Sequence, residues 1–305
     1  MYDIVIVGGG PAGLTAAVYA LRGGRSVLVI EKNGFGGQIA YSPKVENIPG
    51  TIQISGAAFA DQLVEQAMNL GADMELENVT RIEKDADAFR IFTEEGSSFE
   101  GRTVILALGV KHRMLGLEGE AELIGKGLSF CAVCDGAFYE GQEVAMIGGG
   151  NSALQEALLL SELCSKVTVI QNLADFTGER KLAEALQEKE NVEVHFNTVV
   201  SCYLQKDGEL EGLEIQNTQT GECRQVFVNG AFLAVGLMPE NDAFASFVQL
   251  NPWGYFDATE DCCTRTPGLF VAGDCRSKRI RQVVTAAADG AVAATAACMY
   301  LDQNA

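Results

Sequence analysis

The chain is short of basic residues and of histidine, and each shortage narrows what it can do. Only 22 lysines and arginines stand against 41 acidic residues over 305 positions, a formal net charge of −19. With no basic face to neutralise phosphates, the composition disfavours a nucleic-acid partner. His112 and His195 are the only histidines, there is no second CxxC beside Cys131 and Cys134, and Cys262 and Cys263 are adjacent rather than spaced. Those ligands do not make a zinc site, so no metal is expected. No basic segment precedes the opening apolar stretch, residues 1–7, which runs straight into a glycine turn and reads as a strand rather than a leader. No apolar run approaches the length of a membrane span, and no membrane partner is expected. Nine cysteines, an odd and mostly scattered set, do not form a disulfide scaffold and fit a reducing, cytoplasmic location.

What the chain has is glycine, 34 residues of it, and an internal repeat. Residues 3–31, DIVIVGGGPAGLTAAVYALRGGRSVLVIE, align without a gap on residues 143–171, EVAMIGGGNSALQEALLLSELCSKVTVIQ. Each copy gives an apolar strand, a glycine turn, an amphipathic helix and a second apolar strand: a βαβ unit whose strands are buried on both faces. Short alternating strands follow each copy (VTRIE and FRIFTEE; VEVHF, LEGLEIQN and CRQVFV), and the copies close on TVILALG and GAFLAVG. After Gly236 the chain gives an apolar strand ending in Gly273-Asp274 and then a long helix of small residues, which would complete the first copy. The expectation is an α/β protein of two Rossmann-like dinucleotide-binding domains of the FAD/NAD(P)-binding type, the second inserted into the first. The boundaries are 1–111 with 240–305 for one domain and 112–239 for the other, with hinges near Gly109 to Gly116 and Gly236 to Asn241.

In the first turn Gly8 permits the tight bend, Gly10 lets a pyrophosphate approach the backbone, and Gly13 allows the helix to pack closely on the strand. Glu31, ending the next strand, is placed to accept hydrogen bonds from ribose hydroxyls. In the second turn Gly148, Gly150 and Ala153 take the same positions, and Gln171 stands where Glu31 stood, offering an amide without a charge. The competing reading of either turn is a structural bend kept for packing.

Cys131 and Cys134, two residues apart at the start of a helix, lie within disulfide reach. The positive end of that helix favours thiolate near neutral pH, and Asp135 beside them can give or accept a proton. The remaining cysteines read as ordinary buried or surface residues.

With these features in place, the chain resembles the low-molecular-weight thioredoxin reductases over nearly its whole length. The matching segments are GGGPAGLTAAVYA (8–20), GGQ (36–38), ENIPG (46–50), CAVCDGAFYEG (131–141), GGGNSALQEA (148–157), TPGLFVAGDC (266–275) and RQVVTAAADG (281–290). The resemblance implies FAD in the first domain, held by Gly8, Gly10, Pro11, Ala12, Gly13, Glu31, Gly37, Gln38, Asn47, Gly273, Asp274, Arg281, Gln282 and Val283. It implies NADH or NADPH at Gly148, Gly150, Asn151, Ser152, Ala153 and Gln171. Cys134 would lie against the flavin, Cys131 would attack the substrate disulfide and Asp135 would handle the proton. It also implies a homodimer, rotation of one domain against the other in turnover, and thioredoxin or a thioredoxin-like protein as partner. One departure stands out: where NADPH-using members carry His-Arg-Arg and a further Arg four residues on, this chain has Gln171, Asn172, Leu173 and Thr177. Two other activities fit the same fold: a reductase fed by ferredoxin, and a flavin-dependent dithiol oxidase.

Overall fold

The computed structural model describes residues 1–305 apart from 43–44, 86–87 and 305. By internal contacts the chain divides into two compact units. One comprises Met1–Pro43, Ile48–Lys111 and Met238–Ala305; the other comprises Lys44–Asn47 and His112–Leu237.

The first unit is built on a seven-stranded sheet. Its opening βαβ consists of β1 (Tyr2–Val7), α1 (Pro11–Arg22) and β2 (Val27–Glu31). After the helix α2 (Gly56–Asn69) come β3 (Asp73–Leu76), β4 (Val79–Asp85), β5 (Ala88–Thr93) and β6 (Ser98–Leu106). The sheet order is β3-β2-β1-β6-β5-β4, and the late strand Leu269–Val271 also pairs with β6. β1 runs parallel to β2 and β6, whereas β4, β5 and β6 pair antiparallel. The uninterrupted apolar run of β1 follows from burial on both faces. Ile4 and Ile6 pack with α1 and the C-terminal helix, while Val5 and Val7 pack with Phe244 and Phe256 on the other side.

The C-terminal helix, Val283–Gln303, approaches α1 so closely that a Cβ on Gly290 would lie 2.1 Å from the Ala12 carbonyl oxygen. By length and composition this helix could cross a membrane, which corrects the expectation that no segment comes near that length. Asp289 interrupts the run, so the sequence holds no unbroken apolar stretch of that length there. In the fold Ala286, Gly290, Ala293, Ala294 and Ala297 are buried against the unit's core.

The second unit repeats the pattern on a five-stranded parallel sheet, ordered Val192–His195, Lys166–Ile170, Glu143–Ile147, Gly230–Leu233 and Leu128–Ser129. The helix Asn151–Leu163 buries Ala153, Leu154, Ala157 and Leu160 against this sheet. Here the antiparallel strands form a separate three-stranded sheet, Thr198–Lys206, Glu209–Asn217 and Cys223–Phe227. The first of these strands was not among those read from the sequence. Register shifts between Val200 and Cys202 and between Leu204 and Gln205 break its alternation.

Candidate functional site

The first glycine turn is closed by Gly8, whose N–H donates to the Ile30 carbonyl at 2.8 Å and whose φ of 110° places a hypothetical Cβ 2.3 Å from the Ala107 carbonyl oxygen. A Cβ on Gly13 would fall 1.9 Å from the Gly8 oxygen, so the helix can lie on the strand only with glycine there. Gly10 is the N-cap of α1 and makes no side-chain cap; Pro11 follows at the first position and no acid occupies the first turn. The N–H groups of that turn are therefore left for a ligand anion.

The Gly36-Gly37 loop passes against the turn, a Cβ on Gly37 falling 2.9 Å from the Gly10 Cα. Ala12 faces Gly273, where a Cβ would lie 2.8 Å from the Ala12 methyl. Glu31 sits at the rim, its two oxygens accepting from the N–H groups of Gly9 at 2.7 Å and Asn33 at 3.0 Å, each with a lone pair remaining. The Gln38 amide donates to the Val110 carbonyl.

The Gly273-Asp274 turn is fixed from behind. Asp289, on the C-terminal helix, accepts from the Gly273 N–H at 3.0 Å, from Arg276 at 2.8 and 3.0 Å, and from Lys278 at 2.9 Å. The neighbouring Asp274 has a buried Oδ1 with no hydrogen-bond partner, and burial pushes its carboxyl up to about 6. Arg281 donates to the Asp274 carbonyl at 3.3 Å and lies over the Tyr255 ring, 4.2 Å from its centroid. Gln282 caps the C-terminal helix, which begins at Val283, in a reciprocal box with Thr285.

A phosphate-ready helix end, a carboxylate at the strand rim and an orphaned buried carboxylate oxygen fit the pyrophosphate, ribose and ribitol of FAD. Asn47 belongs to the segment Lys44–Asn47, which groups with the second unit.

In the second unit Gly148 has a φ of 131° and its N–H donates to the Ile170 carbonyl at 2.9 Å. Gly150 is the N-cap of the helix Asn151–Leu163, again without a side-chain cap or a first-turn acid. The segment after Ile170 folds back on this turn. Thr177 N–H and Gly178 N–H donate to the Gly149 carbonyl at 2.8 and 3.1 Å, and Glu179 N–H donates to Asn151 Oδ1 at 2.6 Å. Gln171 is buried, and its amide donates to the Asp175 carbonyl at 3.0 Å. Arg180, the first cation in the chain after Gln171, is paired with Glu184 at 2.6 Å.

The cysteines are joined. Cys131 and Cys134 form a disulfide with Cα atoms 5.3 Å apart. Cys131 is the N-cap of the short helix Ala132–Asp135, and its sulfur accepts from the Cys134 N–H at 3.2 Å. Once reduced, this sulfur is the one whose negative charge the helix end stabilises.

Two residues that the motifs did not single out build the surroundings. Ser129 donates to Asp135 Oδ2 at 2.5 Å and accepts from the Cys131 N–H at 3.2 Å, linking carboxyl and cysteine through one hydroxyl. Glu156 accepts from the Ala132 N–H at 3.1 Å. Burial raises the Asp135 carboxyl, against the lowering effect of the Ser129 bond, and raises Glu156 to about 7. His112 stacks on Phe130 with centroids 4.3 Å apart, and burial pushes it down to about 4. The sequence held a signal for Glu156: it is an acid on the stripe of Ala153, Leu154, Ala157 and Leu160, where only apolar residues are expected.

Known proteins bear the same organisation. The model of the pyridine nucleotide-disulphide oxidoreductases matches residues 2–290. The chain is 34% identical to a thioredoxin reductase of Bacillus subtilis over 303 residues, covering 99% of this chain and 96% of the relative. It is 37% identical to one of Treponema pallidum over 302 residues, covering 99% and 97%. The crystal structure of the thioredoxin reductase of Streptococcus pyogenes superposes with a TM-score of 0.93 at 35% identity, covering 99% of each chain. The chain belongs to the pyridine nucleotide-disulphide oxidoreductase family, in the branch that holds the thioredoxin reductases.

Proposed function

We propose that the protein is an FAD-dependent thioredoxin-disulfide reductase that moves electrons from a reduced nicotinamide dinucleotide to the Cys131–Cys134 disulfide and on to thioredoxin or a thioredoxin-like protein. The observation that carries this reading is the disulfide itself, set at a helix N-cap and tied through Ser129 to the buried Asp135. Relatives named thioredoxin reductase over the full length support it. The retained, uncapped second turn at Gly150 favours a dinucleotide donor over ferredoxin.

The residues 1–111 and 240–305 are assigned to FAD: Gly8, Gly10 and Gly13 with the α1 N-terminus to the pyrophosphate, Glu31 to the ribose, and Asp274 to the ribitol. Residues 112–239 are assigned to the nicotinamide dinucleotide, at Gly148, Gly150, Asn151, Ser152 and Ala153. Bound flavin supplies a two-electron carrier between donor and disulfide.

In the reduced chain the Cys131 thiolate, stabilised by the Cys134 N–H, attacks one sulfur of the partner's disulfide. Cys134 then displaces the partner from that mixed disulfide and closes the Cys131–Cys134 bond. Asp135, raised by burial and held by Ser129, supplies a proton to the leaving thiolate and regains one from the Cys134 thiol as that sulfur attacks.

The assignment includes a homodimer and a cytoplasmic location. The other seven of the nine cysteines, all unpaired, support a reducing compartment. The test is anaerobic titration with NADH, NADPH and reduced ferredoxin, followed by thioredoxin. Bleaching of a yellow chromophore by a nicotinamide dinucleotide and reduction of thioredoxin are expected; bleaching by ferredoxin alone would overturn the assignment of the second turn.

A further inference from the structure

The mechanism above leaves one half-buried acid at the redox helix unused. Glu156 reaches from the helix Asn151–Leu163 to the Ala132 N–H, the first peptide group after Cys131, at 3.1 Å. Asp135 lies on the same four-residue helix, with a buried Oδ1 that has no partner and an Oδ2 bound by Ser129. Two carboxyls thus flank a single, half-buried disulfide. Each disfavours the charge of the other, and the thiolate created at Cys131 adds a third negative charge beside the same peptide group.

We propose that Glu156 is a proton-coupled positioning residue of the disulfide. Its carboxylate holds the first N–H of the redox helix while the disulfide is closed, and takes up a proton when the disulfide opens. The inference rests on the reading that the Cys131–Cys134 pair cycles in turnover.

The balance is as follows. Two electrons from the nicotinamide donor break the S–S bond, and two protons enter: one ends on the Cys134 sulfur and one on Glu156, leaving Cys131 as thiolate. When that thiolate bonds to a partner sulfur, the partner's other sulfur leaves as a thiolate and takes its proton from Asp135, while Glu156, no longer beside a charged sulfur, releases its proton to solvent and returns to the carboxylate. An acid of ordinary pKa would stay charged throughout and could not do this. Burial holds Glu156 near 7, with Asp135 raising it further and the Ala132 N–H lowering it.

The other groups nearby do not supply this proton. Tyr139, on the turn after the redox helix, faces Asp135 and is pushed up to about 12 by burial, so it stays neutral. His112 is neutral for the opposite reason, being pushed down to about 4. On the helix Arg180–Gln187, packed against the same helix as Glu156, Lys181 is exposed, and Arg180 is exposed and paired with the exposed Glu184. Glu143 and Lys166 begin their strands.

The experiment measures the dithiol-to-disulfide ratio of Cys131–Cys134 in the full-length flavoprotein. Samples are equilibrated in dithiothreitol redox buffers from pH 6 to 8.5 and read by alkylation and mass. Wild type is compared with Glu156→Gln, which keeps an oxygen for the Ala132 N–H but cannot titrate, and with Asp135→Asn. From pH 7 to 8 the extra proton taken up by wild type per disulfide reduced, relative to Glu156→Gln, rises from about half to about nine-tenths as Glu156 of the closed disulfide loses its proton. The two equilibrium constants therefore diverge by about fivefold over that unit, below the tenfold limit set by linkage for one proton.

Parallel curves for wild type and Glu156→Gln overturn the proposal, as does a divergence that appears only in Asp135→Asn. Should Glu156→Gln fail to fold, proton release and uptake by wild type alone decides: an uptake of one proton rather than two at pH 7.5 overturns it. Thioredoxin reduction, assayed in the same samples, tests the functional reading separately, because the thiol buffer opens the disulfide without donor or partner.

Discussion

At the scale of single residues, the two cysteines have separable tasks, and substitution distinguishes them. Cys131 caps a helix and accepts an N–H, which favours its thiolate; Cys134 supplies that N–H. Replacing Cys134 with Ser leaves the attacking sulfur but removes the one that resolves the mixed disulfide. A stable adduct between Cys131 and thioredoxin should accumulate, visible by mass, with turnover down at least about a thousandfold. Cys131→Ser should lose turnover equally and form no adduct. An adduct in Cys131→Ser instead would reverse the roles.

Donor choice is decided on the same scale. A 2′-phosphate is normally discriminated by arginine forks, and positions 171–177 carry no cation. Gln171 is committed to the Asp175 carbonyl and Arg180 to Glu184. NADH should reduce the flavin within about tenfold of NADPH in kcat/KM. A preference for NADPH above about a hundredfold, roughly 2.7 kcal/mol, would mean that a cation outside this segment holds the phosphate. The sequence made this departure visible because the missing groups are side chains at fixed spacing. It did not reveal that Gln171 turns inward, since that depends on the 172–175 segment folding back to offer it the Asp175 carbonyl.

At the scale of elements, the two strand-turn-helix units were legible because their signals are local: apolar runs, glycines at set intervals, and a second copy for comparison. The long-range partners were not. Nothing in the spacing announces that Asp289, in the middle of an apolar helix, organises the Gly273-Asp274 turn from 15 and 16 residues away, or that Glu156 reaches the redox helix. Both acids occupy positions that helical periodicity assigns to the core, and that mismatch is the readable trace.

The turns themselves give a test that separates folding from binding. Gly13→Ala would drive a methyl to 1.9 Å from the Gly8 carbonyl oxygen, against backbone that cannot yield. It should cost about 1–3 kcal/mol of stability and flavin content together. Gly150→Ala meets nothing closer than the Thr177 hydroxyl at 3.9 Å. It should cost at most about 1 kcal/mol, as an alanine N-cap does, while weakening nicotinamide dinucleotide binding through the loss of close phosphate approach. Equal losses of stability in the two variants, measured by denaturant titration, would remove the distinction. Asp274→Ala belongs with them: removing the buried carboxylate we assign to the ribitol should weaken FAD binding to the apoprotein by about ten- to a hundredfold, the worth of one hydrogen bond to a charged group. Unchanged affinity would place the ribitol elsewhere.

At the scale of the whole molecule, the open question with a physical handle is assembly. The first unit exposes an apolar stripe along its C-terminal helix, where Val284, Val292 and Met299 are 40%, 39% and 56% exposed. Val292 and Met299 border an apolar cavity of about 690 Å³ lined also by Tyr19, Phe270 and Tyr300. Val284, Val292 and Met299 are eight and seven residues apart and so share one face of the helix. A chain with a net charge of −19 repels its own copies at long range, so association needs a surface where apolar contact outweighs that repulsion. This stripe is mainly apolar, with Asp261 and Asp302 at its margins, and is the face we assign to a second copy. The protein should therefore elute with a light-scattering mass near twice 32.5 kDa, and the dimer should tighten as added salt screens the repulsion. Met299→Glu, which places a carboxylate at the C-terminal end of the stripe, beside the cavity and away from every residue assigned to FAD or the disulfide, should shift the mass to that of a single chain while the flavin is retained. A single-chain mass for wild type at micromolar concentration would remove the dimer, and a Met299→Glu protein that stays dimeric would move the interface to another face.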